Sequence, residues 1–243
     1  MKIRTLIAGY VLALALFLFA QRHPDSLSPT GFHAVVDLTH SLDAGVVAHQ
    51  PTGKSVLSFE QMGTRIDAPA GFAHGLWTVD QIPAERLLAP LVVLDVSANI
   101  RNHPDYQISV EDIARWEMVH SQIPLGSIVM ARTGWDSRWR SLRDYRNVDS
   151  RGVMHFPGYS ADAAKFLVEG RDALGLGIDT LSVDCGLSRD FPVRQYTLAH
   201  SVYQLENVAN LDHAPASGGI VTVAPMKLEG GSGAPVRILA LVR

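Results

Sequence analysis

A chain of 243 residues is long enough for one large domain with a substantial core, and short for two ordinary ones. Hydrophobic residues make up 47% and charged residues 19%, which is globular composition and excludes general disorder. The formal net charge is −3 and the basic residues are not clustered, so nothing supports a nucleic-acid partner.

The chain opens with a short basic start, Met1-Lys2-Ile3-Arg4, followed by an uncharged apolar run from Thr5 to Ala20 and an abrupt return to polar residues at Gln21. This is the pattern of an export signal, with cleavage expected after Ala20. The run is shorter than the about 20 residues of a spanning helix, and an uncleaved anchor is the alternative. The expected division is a signal sequence or N-terminal anchor over 1–20, a linker over 21–32 and one folded domain over 33–243. The expected location is periplasmic or secreted, with the membrane involved only through an uncleaved anchor. Cys185 is the single cysteine, so no intramolecular disulfide can form. It reads most simply as a small buried residue.

Ala34 to Leu38 reads as a first strand. Leu88 to Ser97 contains the run Pro90–Val96, apolar but for Asp95, which fits a strand buried on both faces. Ser109 to His120 carries a helix-start signature, with Ser109 followed by Asp112 and then Ile113, Trp116 and Val119 at helical spacing. Further strands are expected at 126–132, 175–179, 219–224 and 236–242, and a second helix begins at Ser160. Strands alternating with a few helices argue for a mixed α/β domain. No Gly-rich phosphate loop stands in the right context, because Gly230–Gly233 precedes a strand and opens no helix.

Six stretches carry a pattern in order: Asp37-Leu38-Thr39-His40, Arg132-Thr133-Gly134-Trp135, Phe156-Pro157-Gly158-Tyr159-Ser160, Gly177 to Asp184, Leu205 to Asp212, and Gly231 to Arg237. With them stands Gln61-Met62-Gly63-Thr64-Arg65-Ile66-Asp67-Ala68-Pro69-Ala70-Gly71-Phe72. Together these resemble the cyclase family, the metal-dependent hydrolases that include kynurenine formamidases and isatin hydrolases, whose signature is HxGTHxDxPxHF. Gly63, Thr64, Asp67, Pro69 and Phe72 match that signature. The resemblance implies a single α/β domain with a compact mixed β core and a few flanking helices, of the swivelling β/β/α type, and a homo-oligomer. It also implies a hydrolase acting on a small cyclic or aryl amide, lactam or lactone.

In the family a divalent metal sits on the first two histidines and the aspartate of the signature, with a later histidine and a glutamate nearby, while the last histidine of the signature works as acid/base. Carried over, these roles fall on Gln61, Arg65, Asp67, Arg194, Glu206 and Gly71. Only the two carboxylates survive. Arginine has no acceptor and stays protonated, and a glutamine carbonyl is a weak ligand. The expectation is therefore no cofactor, with zinc or manganese on Gln61, Asp67 and Glu206 as the alternative. Two carboxylates and two guanidiniums sum to zero charge, so Arg65 and Arg194 are expected to pair with Asp67 and Glu206.

Acid–base candidates are His74, His200 and Glu206, since His74 lies three residues beyond Gly71 and His200 six before Glu206. Most lone histidines are surface or structurally bonded side chains, and that reading stands beside each. Thr64, Arg65, Trp77, His155 and Arg194 are the candidates for contact with a small-molecule substrate. Two functions remain open: a hydrolase with a degenerate metal site, or an inactive homologue that binds a small carboxylate or serves as a scaffold.

Overall fold

The computed structural model describes residues 31–41, 62–72, 75–100 and 103–242. The apolar N-terminal run, Gln61 and His74 lie outside the described residues. One compact unit spans Val35–Val242.

The strands among the described residues are β1 (Ala34–Asp37), β2 (Arg65–Asp67), β3 (Leu88–Asp95), β4 (Gln107–Ile108), β5 (Ile128–Arg132), β6 (Gly158–Tyr159), β7 (Gly175–Ile178), β8 (Tyr203–Glu206), β9 (Gly219–Pro225) and β10 (Gly233–Val242). The α-helices are α1 (Ser97–Ile100), α2 (Val110–His120), α3 (Leu142–Arg146), α4 (Ala161–Arg171) and α5 (Pro192–Ala199). The main sheet runs β1-β10-β2-β8-β7-β5-β3-β9, and β10 also pairs with β9. That second pairing closes seven strands into a barrel-like ring, with β1 attached to β10. Strands β3, β5, β7 and β8 are parallel neighbours. Parallel pairing needs long crossovers, and α2, α4 and α5 lie in them. The architecture is the mixed α/β domain with few helices that the sequence implies.

The apolar runs have two faces to bury because successive strand side chains point to opposite sides. Val92 and Leu94 of β3 pack with Ile113 and Trp116 of α2 and Leu167 of α4. Leu91 and Val93, on the other face, pack with Met130, Leu205, Val221 and Ile238. The expected caps form. Ser109 accepts from Asp112 N at 3.3 Å while Asp112 Oδ2 accepts from Ser109 N at 2.8 Å. Ser160 Oγ accepts from Ala163 N at 3.1 Å at the start of α4.

Three short elements that sequence periodicity leaves unassigned bring the separated motifs together. β2 pairs antiparallel with β8, with Arg65 opposite Glu206 and Asp67 opposite Gln204. On its other edge β2 pairs with the start of β10, with Gly233 opposite Asp67 and Pro235 opposite Arg65. The last strand thus begins at Gly233 rather than Val236, because its first residues have β2 to pair with. The third element, α5, starts at Pro192, whose missing N–H costs nothing in the first turn.

Candidate active site

Alternation along β2 puts Arg65 and Asp67 on the same face, and the β2–β8 register puts Glu206 beside them. All three are enclosed: the side chains of Arg65, Asp67 and Glu206 are 2%, 1% and 0% exposed. Arg65 Nη2 donates to Glu206 Oε2 and, at 3.2 Å, to the Leu181 carbonyl. Arg65 Nε lies 3.6 Å from Asp67 Oδ1. Arg194 closes the group from α5, with Nη1 2.7 Å from Asp67 Oδ2 and 3.9 Å from Glu206 Oε1. Its side chain is 22% exposed, so Arg194 is the member of the cluster that meets solvent.

The position of Arg194 comes from Asp184. The Asp184 carboxylate accepts Val193 N and Arg194 N, each at 2.9 Å, and caps the first turn of α5. Phe191 takes a left-handed conformation with φ of 48° just before this turn, which turns the chain into the helix. A second carboxylate, Asp179, sits at the end of β7 and fixes the Arg132–Trp135 turn. It accepts from Thr133 Oγ1 at 2.6 Å, Gly134 N at 2.7 Å and Trp135 N at 3.2 Å. Neither Asp179 nor Asp184 stands among the sequence candidates, although both belong to the Gly177–Asp184 motif.

The electrostatics follow from burial. Burial pushes the Glu206 carboxyl up to about 7, against the pull of Arg65. The Asp67 carboxylate beside Arg194 holds its guanidinium above the usual arginine range. Burial also pushes Asp179 up to about 7, opposed by the Thr133 donor. Arg65 Nη1 and Glu206 Oε1 are buried without a hydrogen-bond partner among the described residues.

The other candidates fall in different places. Gln61 and His74 lie outside the described residues. Thr64 is buried, and its hydroxyl is engaged: it donates to the Asn207 carbonyl at 2.7 Å and accepts from His40 N at 2.9 Å. It fastens β2 to the segments flanking the site. Trp77 is half-buried under the Arg86 guanidinium, which lies 5.3 Å from its ring centroid, and its carbonyl accepts from Ala70 N at 2.9 Å. His155 bonds through Nδ1 to Asp105 at 2.8 Å, with Nε2 3.6 Å from Asp149. The Asp105 hydrogen bond raises its pKa. His200 caps the far end of α5, exposed, with Nδ1 2.7 Å from the Tyr196 carbonyl and its ring 4.2 Å from the Tyr196 ring. Arg65, Asp67, Arg194 and Glu206 are therefore the candidates brought together, while His155 and His200 are held by their own local partners.

The residues of this cluster do not fit the divalent metal that the family resemblance implies. A metal on Asp67 and Glu206 would have to share the space with a protonated guanidinium already bonded to Glu206. Among the described residues no group of three or more histidine, cysteine, aspartate or glutamate side chains converges.

Comparison with known proteins joins these observations to the motifs. A family model described as "Putative cyclase" matches residues 36–185. The isatin hydrolase of Roseibium aggregatum is 34% identical over 191 residues, covering 75% of this chain and 72% of that one. The structure of isatin hydrolase A from Ralstonia solanacearum matches with a TM-score of 0.79 at 32% identity, covering 86% of this chain and 92% of the other. An isatin hydrolase bound to the product analogue thioisatinate matches with a TM-score of 0.79 at 28% identity, covering 86% and 92%. Two further structures, at 24% and 22% identity with TM-scores of 0.63 and 0.61, share the fold. The family model spans more than half of the chain, and the shared motifs lie on the strands and turns that build the site: the chain belongs to the cyclase family.

Proposed function

We propose that this chain is a hydrolase-like protein that takes a small cyclic or aryl amide, lactam or lactone at Arg194, and that the ring-opened carboxylate is the species it holds best. The observation that carries this reading is Arg194, a partly exposed guanidinium anchored from behind by the buried Asp67. A guanidinium fixed in this way keeps donors for a planar carboxylate, which it binds in bidentate fashion. The relatives support the ligand class, because they are isatin hydrolases and one of them holds a product analogue. Within the site, Asp184 orients Arg194 and Arg65 keeps Glu206 in place.

Isothermal titration with thioisatinate at low salt tests the reading. Wild-type chain should bind, and Arg194→Ala should lose at least about tenfold in affinity, the equivalent of 1.4 kcal/mol. Equal binding by the two proteins would refute the role of Arg194.

A second reading is metal-independent hydrolysis with Glu206 as general base, and its support is the carboxyl raised to about 7. A base poised near neutral pH suits proton removal from water. His74 would then act as the partner acid. Loss of isatin absorbance in the presence of EDTA, abolished in Glu206→Gln, would establish it. Export across the inner membrane and assembly into a homo-oligomer complete the proposal, resting on the N-terminal run and the family resemblance. Fractionation and light scattering of the expressed chain test both.

A further inference from the structure

We propose that Arg65, Arg194 and Gly71 form one coupled replacement. The two guanidiniums supply the two positive charges that a divalent cation would bring to Asp67 and Glu206, and Gly71 keeps free the space that Arg194 fills. The site is then electroneutral and complete without metal. This inference stands on the described side chains and does not depend on the ligand reading above.

The charge argument is local. Two carboxylates enclosed to within 1% of full burial cannot both ionise without nearby cations, because each would meet a like charge outside water. Arg65 contacts both of them and Arg194 contacts both of them, so the four groups form a closed ring of opposite charges.

The steric argument concerns Gly71. This residue ends the 3-10 turn Pro69–Gly71 and is absent from the positive-φ residues, so its backbone does not require glycine. Its surroundings are close on one side, although the residue is exposed on the other. A Cβ there would press on the Ser232 carbonyl oxygen at 3.2 Å and come to ordinary van der Waals distance, 4.0 Å, from Arg194 Nη2. A longer side chain directed along that Cβ, such as the histidine that the family signature has at this point, would meet the Arg194 guanidinium. A large residue at 71 and an arginine at 194 therefore compete for the same space.

The test uses thermal melts of the chain and of Gly71→His, Arg194→Ala and Gly71→His/Arg194→Ala, each in EDTA and in excess zinc or manganese. The wild-type midpoint should be the same under all three conditions. Gly71→His should lower the midpoint, and the double variant should lose less than the two single losses added. A wild-type midpoint that climbs saturably with zinc would overturn the charge argument. Independent, additive losses would overturn the steric one. If Gly71→His yields no folded protein, the same cycle with Gly71→Ser reports the coupling with a smaller side chain. Thioisatinate binding is not read in this experiment, so failure here and failure of the ligand reading are distinguishable.

Discussion

Arg65 and Glu206 stand directly opposite each other across the β2–β8 pairing, both buried, with Arg65 Nη2 donating to Glu206 Oε2. The pairing fixes the two charges on one face of the barrel-like sheet, within reach of Asp67 and Arg194. Removing one partner of such a pair leaves the other buried and uncompensated.

Arg65→Met should therefore destabilise the chain by about 3–5 kcal/mol. Arg65→Met combined with Glu206→Gln should recover much of that loss, because no isolated ion would remain opposite the methionine. Urea denaturation of both variants checks the pair. A single variant as stable as wild type would show that the pair contributes nothing.

Asp184→Ala removes the acceptor of Val193 N and Arg194 N at the start of α5. A lost helix cap costs about 1–2 kcal/mol. Because the same bonds seat Arg194, affinity for thioisatinate should fall even where the fold is intact. Titration calorimetry below the denaturation range measures it, and unchanged affinity would detach Asp184 from the placement of Arg194.

Gly158 packs against the backbone of Asp184 and Cys185, and a Cβ there would also lie 2.7 Å from the Val183 carbonyl oxygen. None of these neighbours is the movable end of a side chain. Gly158→Ala should cost about 3 kcal/mol, at the upper end of overpacking effects, and should loosen the loop that carries Asp184. A melting midpoint within a degree of wild type would contradict the contact.

His40 lies flat on Trp139, with ring centroids 3.9 Å apart, and burial lowers its imidazole to about 4 from an ordinary 6.5. A base whose folded pKa is lowered binds fewer protons folded than unfolded between those values. Stability from this group is therefore complete above pH 6.5 and is lost as pH falls towards 4. With a discount for its partial exposure the contribution is on the order of 2 kcal/mol. Asp179 and Glu206, both raised to about 7, slope the opposite way, so stability from them falls as pH rises towards 7. The His40 contribution is read as the difference between wild type and His40→Phe in urea midpoints at pH 4.5 and 7. Parallel pH profiles would refute it.

The apolar strands, β3, β5, β7 and β9, and the capped helices α2 and α4 are legible in the sequence because their burial is written as hydrophobic runs and periodic faces. β2 and β8 are not, since they carry buried charges, Arg65, Asp67 and Glu206, where periodicity expects apolar residues. Those charges are interpretable only through the motif resemblance, which also brought Arg194 into the group. The same resemblance did not expose Asp184 as the cap of α5. The signal was a carboxylate eight residues before Pro192, and its meaning depends on a turn through the left-handed Phe191 that no periodicity registers. His155 and His200 are nominated by sequence proximity to the motifs, and their local partners, a carboxylate pair for one and a helix end for the other, are not legible in the sequence.

The most direct test of the arginine–carboxylate cluster is a crystal structure of the chain grown in excess zinc, with diffraction recorded on both sides of the zinc absorption edge. The Arg65 guanidinium is predicted to lie between Asp67 and Glu206, with Arg194 on Asp67 and no anomalous peak at the cluster. An anomalous peak on Asp67 and Glu206, with Arg65 swung out of the pair, would contradict it.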